Sequence, residues 1–256
     1  MASFEFIQLD KAEGIATITL NRPPVNVLNI PLMAELNAAL EPLIKDAGIA
    51  AIVLRAQGKA FCAGVDVADH TKDKIDEMLR QFHGIFRKLA MTDALTIAVV
   101  DGAALGGGCE LATFCDIVLA SDRAKLGQPE VQVGVFPPVA ACVLPLRVGV
   151  RKAIELNAVG VVLGAPEAQR IGLVDYVYPA TEFGSRVEVY LAELRKLSRP
   201  VVRLAKRATA GTTRADFLAQ LDEVEQLYRD GLANLADAHE GLAAFLEKRP
   251  AQWKHA

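Results

Sequence analysis

The sequence predicts an α/β core followed by a helical C-terminal region. Up to about residue 180, short apolar runs typical of buried strands alternate with amphipathic helical patterns, and this alternation is typical of α/β proteins. Beyond that point only helical patterns follow. The Ser198-Arg-Pro200 break is the best candidate for a hinge. We therefore predict an α/β core of residues 1–198 and a C-terminal helical region of residues 199–256, whose apolar faces suggest subunit contacts.

The predicted strands and helices of the first half are separated by clear turn signals. The strands are apolar or alternating runs at residues 4–10, 14–20, 50–54 and 96–100. The helices each show one apolar face and cover residues 31–45 and 72–90. Pro31 suits the first turn of a helix. His70 and His83, beside and on the second helix, are interpreted as structural histidines at the surface or half-buried.

Two apolar stretches end in glycine and carry the chemistry. Residues 60–64 close on Gly64, from which a backbone N–H could point outward. The strand at 96–100 is expected to lead, through the glycine run 106–108, directly into a helix. Free N–H groups at a helix start attract an oxyanion, and Glu110 lies in the first turn of this helix. This favours acid–base chemistry on a carbonyl compound; tight packing of the glycines, with Glu110 as a helix-dipole partner, is the alternative.

The second half of the chain adds a second carboxylate. A strand at 116–120 leads to a predicted loop at 125–130, in which Pro129 restricts the backbone before Glu130. One helix and one strand separate Glu110 from Glu130, so we expect both carboxylates to face one cavity. An apolar segment at 139–144 follows. The remaining predicted elements are a strand at 173–177 and helices at 152–159, 165–170, 181–197, 200–210 and 214–248.

Composition and charge limit the partners. The chain has 256 residues, 52% of them hydrophobic, which suffices for one large folded domain. The net charge of −3 and the lack of a Lys/Arg block argue against a nucleic-acid partner. A small basic cluster, Arg203, Lys206 and Arg207, is predicted to lie on a solvated helix face, with contact to a phosphorylated ligand as the alternative.

Cysteine usage and hydropathy favour a cytoplasmic protein. The cysteines lack zinc-type spacing and fall in apolar contexts, so we expect free buried thiols and no metal site; they are Cys62, Cys109, Cys115 and Cys142. Residues 1–6 show no basic region or long apolar run, so no signal peptide is expected. No apolar run reaches the roughly 18 residues of a membrane span, so no membrane partner is expected.

Several motifs together resemble the enoyl-CoA hydratase/isomerase (crotonase) superfamily. The motifs are Phe61-Cys-Ala-Gly64, the glycine run with Glu110, Leu126-Gly-Gln-Pro-Glu130 and the ending Glu240–Arg249. The resemblance extends from Asn21 to Arg249. It implies a spiral of ββα units, a C-terminal helical region that covers the active site, and a homotrimer or a hexamer built as a dimer of trimers.

The resemblance also implies roles for individual residues. It places a thioester oxygen between the backbone N–H groups of Val65 and Gly107, and it makes Glu110 and Glu130 the acid–base pair. The remaining residues implied to bind the acyl group or CoA are Val25, Ala63, Asp66, Phe136, Pro138, Phe245 and Lys248. It implies no separate cofactor, because CoA is part of the substrate.

A narrower resemblance concerns the loop at 127–142. Where hydratases of the superfamily usually carry a glycine-rich stretch, this loop has Pro138-Val-Ala-Ala141. Together with Val67, His70, Met78-Leu79, His83 and Arg87, it is similar to the cyclohexa-1,5-diene-1-carbonyl-CoA hydratases of anaerobic benzoyl-CoA degradation. The resemblance implies hydration to 6-hydroxycyclohex-1-ene-1-carbonyl-CoA, in a pocket shaped for a ring by residues 136–141.

Other functions remain open at this point. A generic short-chain enoyl-CoA hydratase would use the same two carboxylates, whereas an enoyl-CoA isomerase would use one of them as a proton shuttle. A relative that binds acyl-CoA or RNA without catalysis is a third class. The presence of both glutamates favours the hydratases, and the lack of a basic patch argues against RNA.

Overall fold

Two β-sheets organise the chain. The computed structural model describes residues 4–256; residues 1–3, part of the stretch expected to lack a signal peptide, lie outside the described residues. The larger sheet has the order β1-β2-β3-β5-β7-β10, and the smaller has the order β4-β6-β8-β9. The strands are β1 (Ile7–Ala12), β2 (Ile15–Leu20), β3 (Ala51–Ala56), β4 (Ala60–Cys62), β5 (Leu95–Val100), β6 (Ala103–Leu105), β7 (Ile117–Ser121), β8 (Lys125–Gly127), β9 (Val162–Gly164) and β10 (Tyr176–Tyr178).

Helices pack around the sheets and form the C-terminal end of the chain. They are α1 (Ile30–Lys45), α2 (Ile75–Met91), α3 (Gly107–Phe114), α4 (Pro138–Val148), α5 (Val150–Ile154), α6 (Ala165–Arg170), α7 (Phe183–Arg195), α8 (Arg199–Gln226) and α9 (Ala236–Leu246). Short 3₁₀ turns cover Val67–Asp69, Pro129–Val133 and Leu232–Asn234, and π-helical turns cover Glu155–Val159 and Leu227–Gly231. Within residues 4–256, no helix is long and apolar enough to cross a bilayer.

A repeated ββα unit explains the two sheets. In the runs β3-β4-α2, β5-β6-α3 and β7-β8, the first strand joins the larger sheet and the second joins the smaller. Strands β3, β5 and β7 pair in parallel, as do β4, β6 and β8. Each unit therefore advances the chain by one strand in both sheets, which confirms the predicted spiral of ββα units. The segments after β6 and β8 consequently leave neighbouring parallel strands at the same edge.

The smaller sheet is the main difference from the prediction. Residues 125–130 were expected to be a loop, yet β8 occupies the first three of them, and β6 separates the strand β5 from the glycine run. Both strands have three residues, which is less than two full periods of side-chain alternation. Their sequences therefore carry no periodic signal, and only pairing with neighbouring strands defines them.

Two helices and one strand differ from the prediction. The apolar segment at 139–144 is part of α4, which Pro138 starts with a backbone angle suited to the first helical position. The predicted helices at 200–210 and 214–248 are divided differently: α8 runs unbroken through Gly211 to Gln226, because one glycine weakens a long helix by only about 1 kcal/mol. The strand predicted at 173–177 begins only at Tyr176.

One member of the basic cluster, Lys206, does not lie on a solvated face. Lys206 is buried, its Nζ lies 2.6 Å from Asp116 Oδ2, and it donates to Ala94 O at 2.8 Å. The interpretation of a solvated helix face is therefore wrong for Lys206, because α8 packs this side chain against the end of the larger sheet. A buried ammonium requires such partners, since an unpaired buried charge is strongly unfavourable. The four cysteines are buried and free, as predicted.

Candidate active site

A cavity of about 550 Å³ lies between the starts of α3 and α4, helix α2 and the C-terminal helices. A volume of this size is typical of small-molecule sites. The predicted site residues in its wall are Ala63, Val65, Gly107, Glu110, Glu130, Phe136, Pro138 and Phe245. The sequence-based expectation placed these residues at one site from motifs as much as 182 positions apart.

The glycine run makes the close approach of α3 to β4 possible. Gly106, which directly precedes the helix, has a φ of 52°, a conformation that favours glycine. A Cβ on Gly108 would lie 2.3 Å from the carbonyl oxygen of Cys62, and one on Gly107 would lie 2.6 Å from Val65 Cγ2. No side chain fits at either position. The helix start therefore touches the segment that follows β4.

Two backbone N–H groups at this contact have no acceptor. Leu28 donates to Gly64 O and accepts from Asp66 N, both at 2.9 Å, so the N–H of the intervening Val65 points away from Leu28. Gly107 is the first residue of α3, and a first-turn N–H has no partner inside its helix. Among the hydrogen bonds of residues 4–256, none uses the N–H of Val65 or of Gly107. Two unpaired donors on one cavity wall can bind an oxyanion.

Glu110 is held by the start of a second helix. Its side chain is 2% exposed, and its Oε1 accepts from Ala140 N at 2.8 Å, in the first turn of α4. Burial raises the pKa of Glu110 to about 7, and the backbone donors Ala140 and Val139 oppose this shift. Burial has the larger effect, because it disfavours the charged carboxylate more than two N–H groups stabilise it.

Glu130 faces the same cavity from the 3₁₀ turn after β8. Pro129 starts this turn, and Gly134, with a φ of 78°, ends it. The pKa of Glu130 is also raised, first by burial and second by the nearby Glu110 carboxylate. With the oxygen and nitrogen of the Gln128 side-chain amide exchanged, so that both find suitable partners, the nitrogen donates to Gly106 O and to Glu130 Oε1, both at 3.2 Å. In this orientation the Gln128 amide links the second carboxylate to the glycine run.

The two raised pKa values define what the pair can do. Because burial raises both pKa values and the Glu110 carboxylate further disfavours ionisation of Glu130, the pair retains a proton nearer neutral pH than isolated glutamates do. One carboxylate is then available as a base while the other is available as an acid. Two unpaired N–H donors lie in the wall of the same cavity. Such a set can stabilise an enolate oxygen and move protons at neighbouring atoms.

Comparison with known proteins identifies the family. A model of the enoyl-CoA hydratase/isomerase family matches residues 10–256 of this chain. The chain is a member of this family.

Individual relatives match it over their whole lengths. A probable enoyl-CoA hydratase of Mycobacterium bovis is 36% identical over 256 residues, which cover 99% of both chains. A cyclohexa-1,5-dienecarbonyl-CoA hydratase of Thauera aromatica is 33% identical over 249 residues, 97% of this chain and 96% of that one. A crystal structure of an enoyl-CoA hydratase from Mycobacterium avium subsp. paratuberculosis K-10 superposes with a TM-score of 0.89 at 26% identity, over 98% of this chain and 100% of that one. The predicted crotonase fold and the assignment of the chain as an enzyme of this family are confirmed.

Three of the residues that the family resemblance implied in binding lie outside the cavity wall. Val25 contributes its carbonyl, which accepts from Ala63 N at 3.0 Å. The carboxylate of Asp66 accepts from Ala68 N at 3.1 Å and lies 3.8 Å from Arg22 Nη2. Lys248 follows α9 with a φ of 55°. Their role in binding the acyl group or CoA stays a prediction.

Only part of the stretch 136–141, which was predicted to line a ring pocket, contacts the cavity. Phe136, Pro137 and Pro138 form part of the cavity wall, but residues 139–141 do not. Residues 139 and 140 lie inside α4, where Ala140 holds Glu110. The expectation that the whole stretch lines the pocket is wrong, because the stretch starts a helix whose N–H groups, rather than its side chains, face the carboxylate.

Several cavity residues were not predicted to line the site. Met78, Leu79 and Phe82 belong to the apolar face that the periodicity predicted for α2, and all three contact the cavity. Periodicity shows which face is apolar but does not distinguish a core from a cavity wall. Tyr228 was not recognised, since a single aromatic residue in a polar helical stretch gives no motif.

The two histidines differ in their environments. His70 is half-buried, as expected, and lies in the cavity wall with its Nδ1 3.0 Å from Asp66 O. His83 is only 1% exposed, so the expectation of a surface or half-buried position is wrong. Its Nδ1 lies 2.7 Å from Glu225 of α8, and Arg87 also binds Glu225. Helix α8 covers His83, and this pairing joins α8 to α2. No group of three or more His, Cys, Asp or Glu side chains in residues 4–256 is placed to hold a metal ion.

The raised pKa of Glu110 predicts how stability depends on pH. The unfolded carboxyl titrates near 4.5 and the folded one near 7, so the folded state binds more protons between these values and wild type loses stability as pH rises through that window. Glu110→Gln removes this loss and keeps an acceptor for Ala140. We expect it to be more stable than wild type at pH 8, by on the order of 1–3 kcal/mol in urea unfolding.

The difference in stability between Glu110→Gln and wild type should shrink as pH falls to 4.5. Glu223→Gln, at an exposed site on α8, is the matched control and should show no such pH-dependent gain. A Glu110→Gln protein no more stable than wild type at pH 8 would show that burial of this carboxylate is not unfavourable.

Proposed function

We propose that the protein is a hydratase that adds water to a conjugated acyl-CoA thioester, with CoA entering as part of the substrate rather than as a cofactor. The observation that carries this proposal is the placement of two carboxylates with raised pKa values and two unpaired backbone donors in one cavity. Relatives named enoyl-CoA hydratase and cyclohexa-1,5-dienecarbonyl-CoA hydratase support it.

The backbone donors act on the thioester. The N–H groups of Val65 and Gly107 receive the carbonyl oxygen, which gains negative charge when a nucleophile adds to the β-carbon. Because these donors are fixed by the contact between α3 and the segment after β4, they require no reorganisation during the reaction. By analogy with other oxyanion sites, each donor is worth about 3–4 kcal/mol of transition-state stabilisation.

The carboxylates balance the protons. The oxygen of water bonds to the β-carbon, and one glutamate takes the proton that this water loses. The electron pair of the double bond moves onto the thioester oxygen as an enolate. When the enolate collapses, the other glutamate gives its proton to carbon, so the elements of water have been added and one proton remains on the pair.

We propose cyclohexa-1,5-diene-1-carbonyl-CoA as the substrate and 6-hydroxycyclohex-1-ene-1-carbonyl-CoA as the product, as in anaerobic benzoyl-CoA degradation. Hydroxyl goes to the β-carbon and the proton goes to the far end of the dienolate. The Thauera aromatica relative named for this reaction and the rigid apolar wall of Phe136, Pro137 and Pro138 support this choice. The Mycobacterium bovis relative supports the alternative, a generic short-chain enoyl-CoA hydratase.

Two other readings find less support. An isomerase needs one carboxylate as a proton shuttle, and here both Glu110 and Glu130 face the cavity. A non-catalytic binding protein would need no acid–base pair, and the cationic side chains proposed for an anionic partner are paired instead: Arg203 with two carbonyls, and Lys206 with Asp116.

Both carboxylates should be required for turnover. We expect Glu110→Gln and Glu130→Gln each to lower kcat by about 10²- to 10⁴-fold, since general acid–base catalysis contributes on this scale. Hydration of crotonyl-CoA and of the cyclic dienoyl-CoA, followed by loss of the enoyl absorbance, is the measurement. Glu223→Gln should match wild type. Near-normal turnover by either cavity variant would disprove the two-carboxylate mechanism and favour the isomerase.

The acyl preference tests the substrate. Because the wall at residues 136–138 contains two prolines and cannot adjust cheaply, we expect a higher kcat/KM for the cyclic dienoyl-CoA than for crotonyl-CoA. Phe136→Ala should narrow this preference about 10- to 200-fold, the range for loss of one apolar wall contact. Pro138 and Ala140 are left unchanged in this test, because Pro138 starts α4 and the Ala140 N–H in the first turn of that helix binds Glu110. Equal or better turnover of crotonyl-CoA by wild type would leave the generic hydratase as the function.

We also propose a cytoplasmic homotrimer or hexamer. Large apolar side chains that remain exposed in the single chain support assembly; they include Leu146, Val201 and Leu204, exposed by 71%, 62% and 58%. Light scattering of the purified protein should give a mass of three or six chains. A monomer at micromolar concentration would contradict this assembly.

A further inference from the structure

Tyr228 lies where the long helix α8 changes its winding. The π-helical turn Leu227–Gly231 directly continues α8, and such turns occur often at functional sites. Within this turn Leu227 is 60% exposed, whereas Tyr228 is 3% exposed and forms part of the cavity wall. The wider turn thus directs one aromatic side chain into the cavity.

The hydroxyl of Tyr228 has no protein partner. Its ring packs edge-on against Phe136, with centroids 5.2 Å apart and an interplanar angle of 64°. Among the hydrogen bonds of the described residues, none involves the Tyr228 hydroxyl. A buried tyrosine usually pairs its O–H group, because an unpaired polar group in an apolar setting is unfavourable. Since this residue borders the cavity, its O–H group is available to a molecule bound there.

The surroundings fix the hydroxyl as a donor. Burial and the carboxylates of Glu110 and Glu130 all raise the pKa of Tyr228, so the phenol stays protonated throughout the physiological range. Tyr228 lines the same cavity as Glu110 and Glu130. Phe136, which contacts Tyr228, and the adjacent Pro137 and Pro138 have no donor group in their side chains, whereas Gln132 and His70 elsewhere in the lining are polar. Tyr228 therefore provides an O–H group beside an apolar part of the wall.

We propose that Tyr228 is a specificity-determining residue whose O–H donates to the hydroxyl oxygen that the reaction places on the β-carbon. This proposal rests on the hydratase function proposed above. The unsaturated substrate has no oxygen at this carbon, so only mobile water meets the phenol before the reaction. The C–O bond that forms brings a fixed oxygen to it. Tyr228 gives up no proton in this role; it favours hydroxyacyl thioesters over unsaturated or saturated ones.

The role predicts opposite effects in the two reaction directions. Tyr228→Phe removes one oxygen atom and leaves the ring in contact with Phe136. In hydration we expect kcat to fall with KM unchanged, because the bond forms only on the way to the product. In dehydration we expect KM to rise with kcat unchanged. Each change should be about 3- to 10-fold, the range for one neutral hydrogen bond. A defect in wall shape would raise KM in both directions instead.

Binding provides a test that does not depend on turnover. In the Glu110→Gln background, calorimetry compares 3-hydroxybutyryl-CoA with butyryl-CoA, which differ by one hydroxyl group. The protein should prefer the hydroxylated ligand, and adding Tyr228→Phe should remove about 3- to 10-fold of that preference. Tyr190→Phe, the same change on α7 outside the cavity wall, should have no effect. Phe136→Leu should weaken the binding of both ligands by the same factor.

The outcomes separate this proposal from the hydratase function. Suppose that wild type hydrates an enoyl-CoA, and that Tyr228→Phe changes neither kcat in hydration, nor KM in dehydration, nor the preference for 3-hydroxybutyryl-CoA. The proposed role of Tyr228 is then wrong, and the proposed hydratase function is unaffected. If wild type hydrates neither substrate, the hydratase proposal fails. Loss of the hydroxyl preference in Tyr228→Phe would then still support a hydroxyacyl-binding role, and its persistence would overturn that role.

Discussion

The contact between the start of α3 and the end of β4 is the constraint on which the site depends. A Cβ on Gly108 would lie 2.3 Å from a carbonyl oxygen of Cys62, so the backbones meet with no side chain between them. This contact sets the unpaired N–H of Gly107 beside the segment that carries the N–H of Val65. It also starts the helix that holds Glu110. A larger residue would separate all three groups at once.

Burial of the two carboxylates is the second constraint, and it opposes stability. The backbone N–H of Ala140 stabilises the ionised form of Glu110, yet the pKa values of both glutamates remain raised. A stabilising core would place apolar residues here. The pair instead keeps a shared proton near neutral pH, which is the property that the proposed hydration needs.

Distant parts of the chain complete the cavity. A Cβ on Gly241 of α9 would lie 2.5 Å from Val133 O, so α9 packs directly on the turn that carries Glu130. The pairing of His83 with Glu225 joins α8 to α2, which supplies another wall of the cavity. The C-terminal helices thereby bring Tyr228 and Phe245 to a site whose reactive groups lie about a hundred residues earlier. The residues that cover the site are thus far in sequence from the two glutamates, but both sets line one cavity.

Some features could be predicted from the sequence because their signals are local. Apolar periodicity located most helices and the longer strands, and the motifs identified the family. The glycine run followed by Glu110 indicated a helix start with free donors, and Pro129 marked the turn before Glu130. Each of these signals involves residues within a few positions of one another, where backbone geometry depends on the neighbouring side chains.

Other features depend on which segments meet, and only the tertiary structure decided them. The three-residue strands β6 and β8 exist because they pair with each other, and Lys206 is buried because Asp116, 90 positions away, receives its charge. Packing between distant helices likewise brings the Ala140 N–H to Glu110 and places Tyr228 in the cavity wall. Periodicity records that a face is apolar. It does not record whether that face meets a core, a cavity or a carboxylate, because this choice depends on contacts that are remote in sequence.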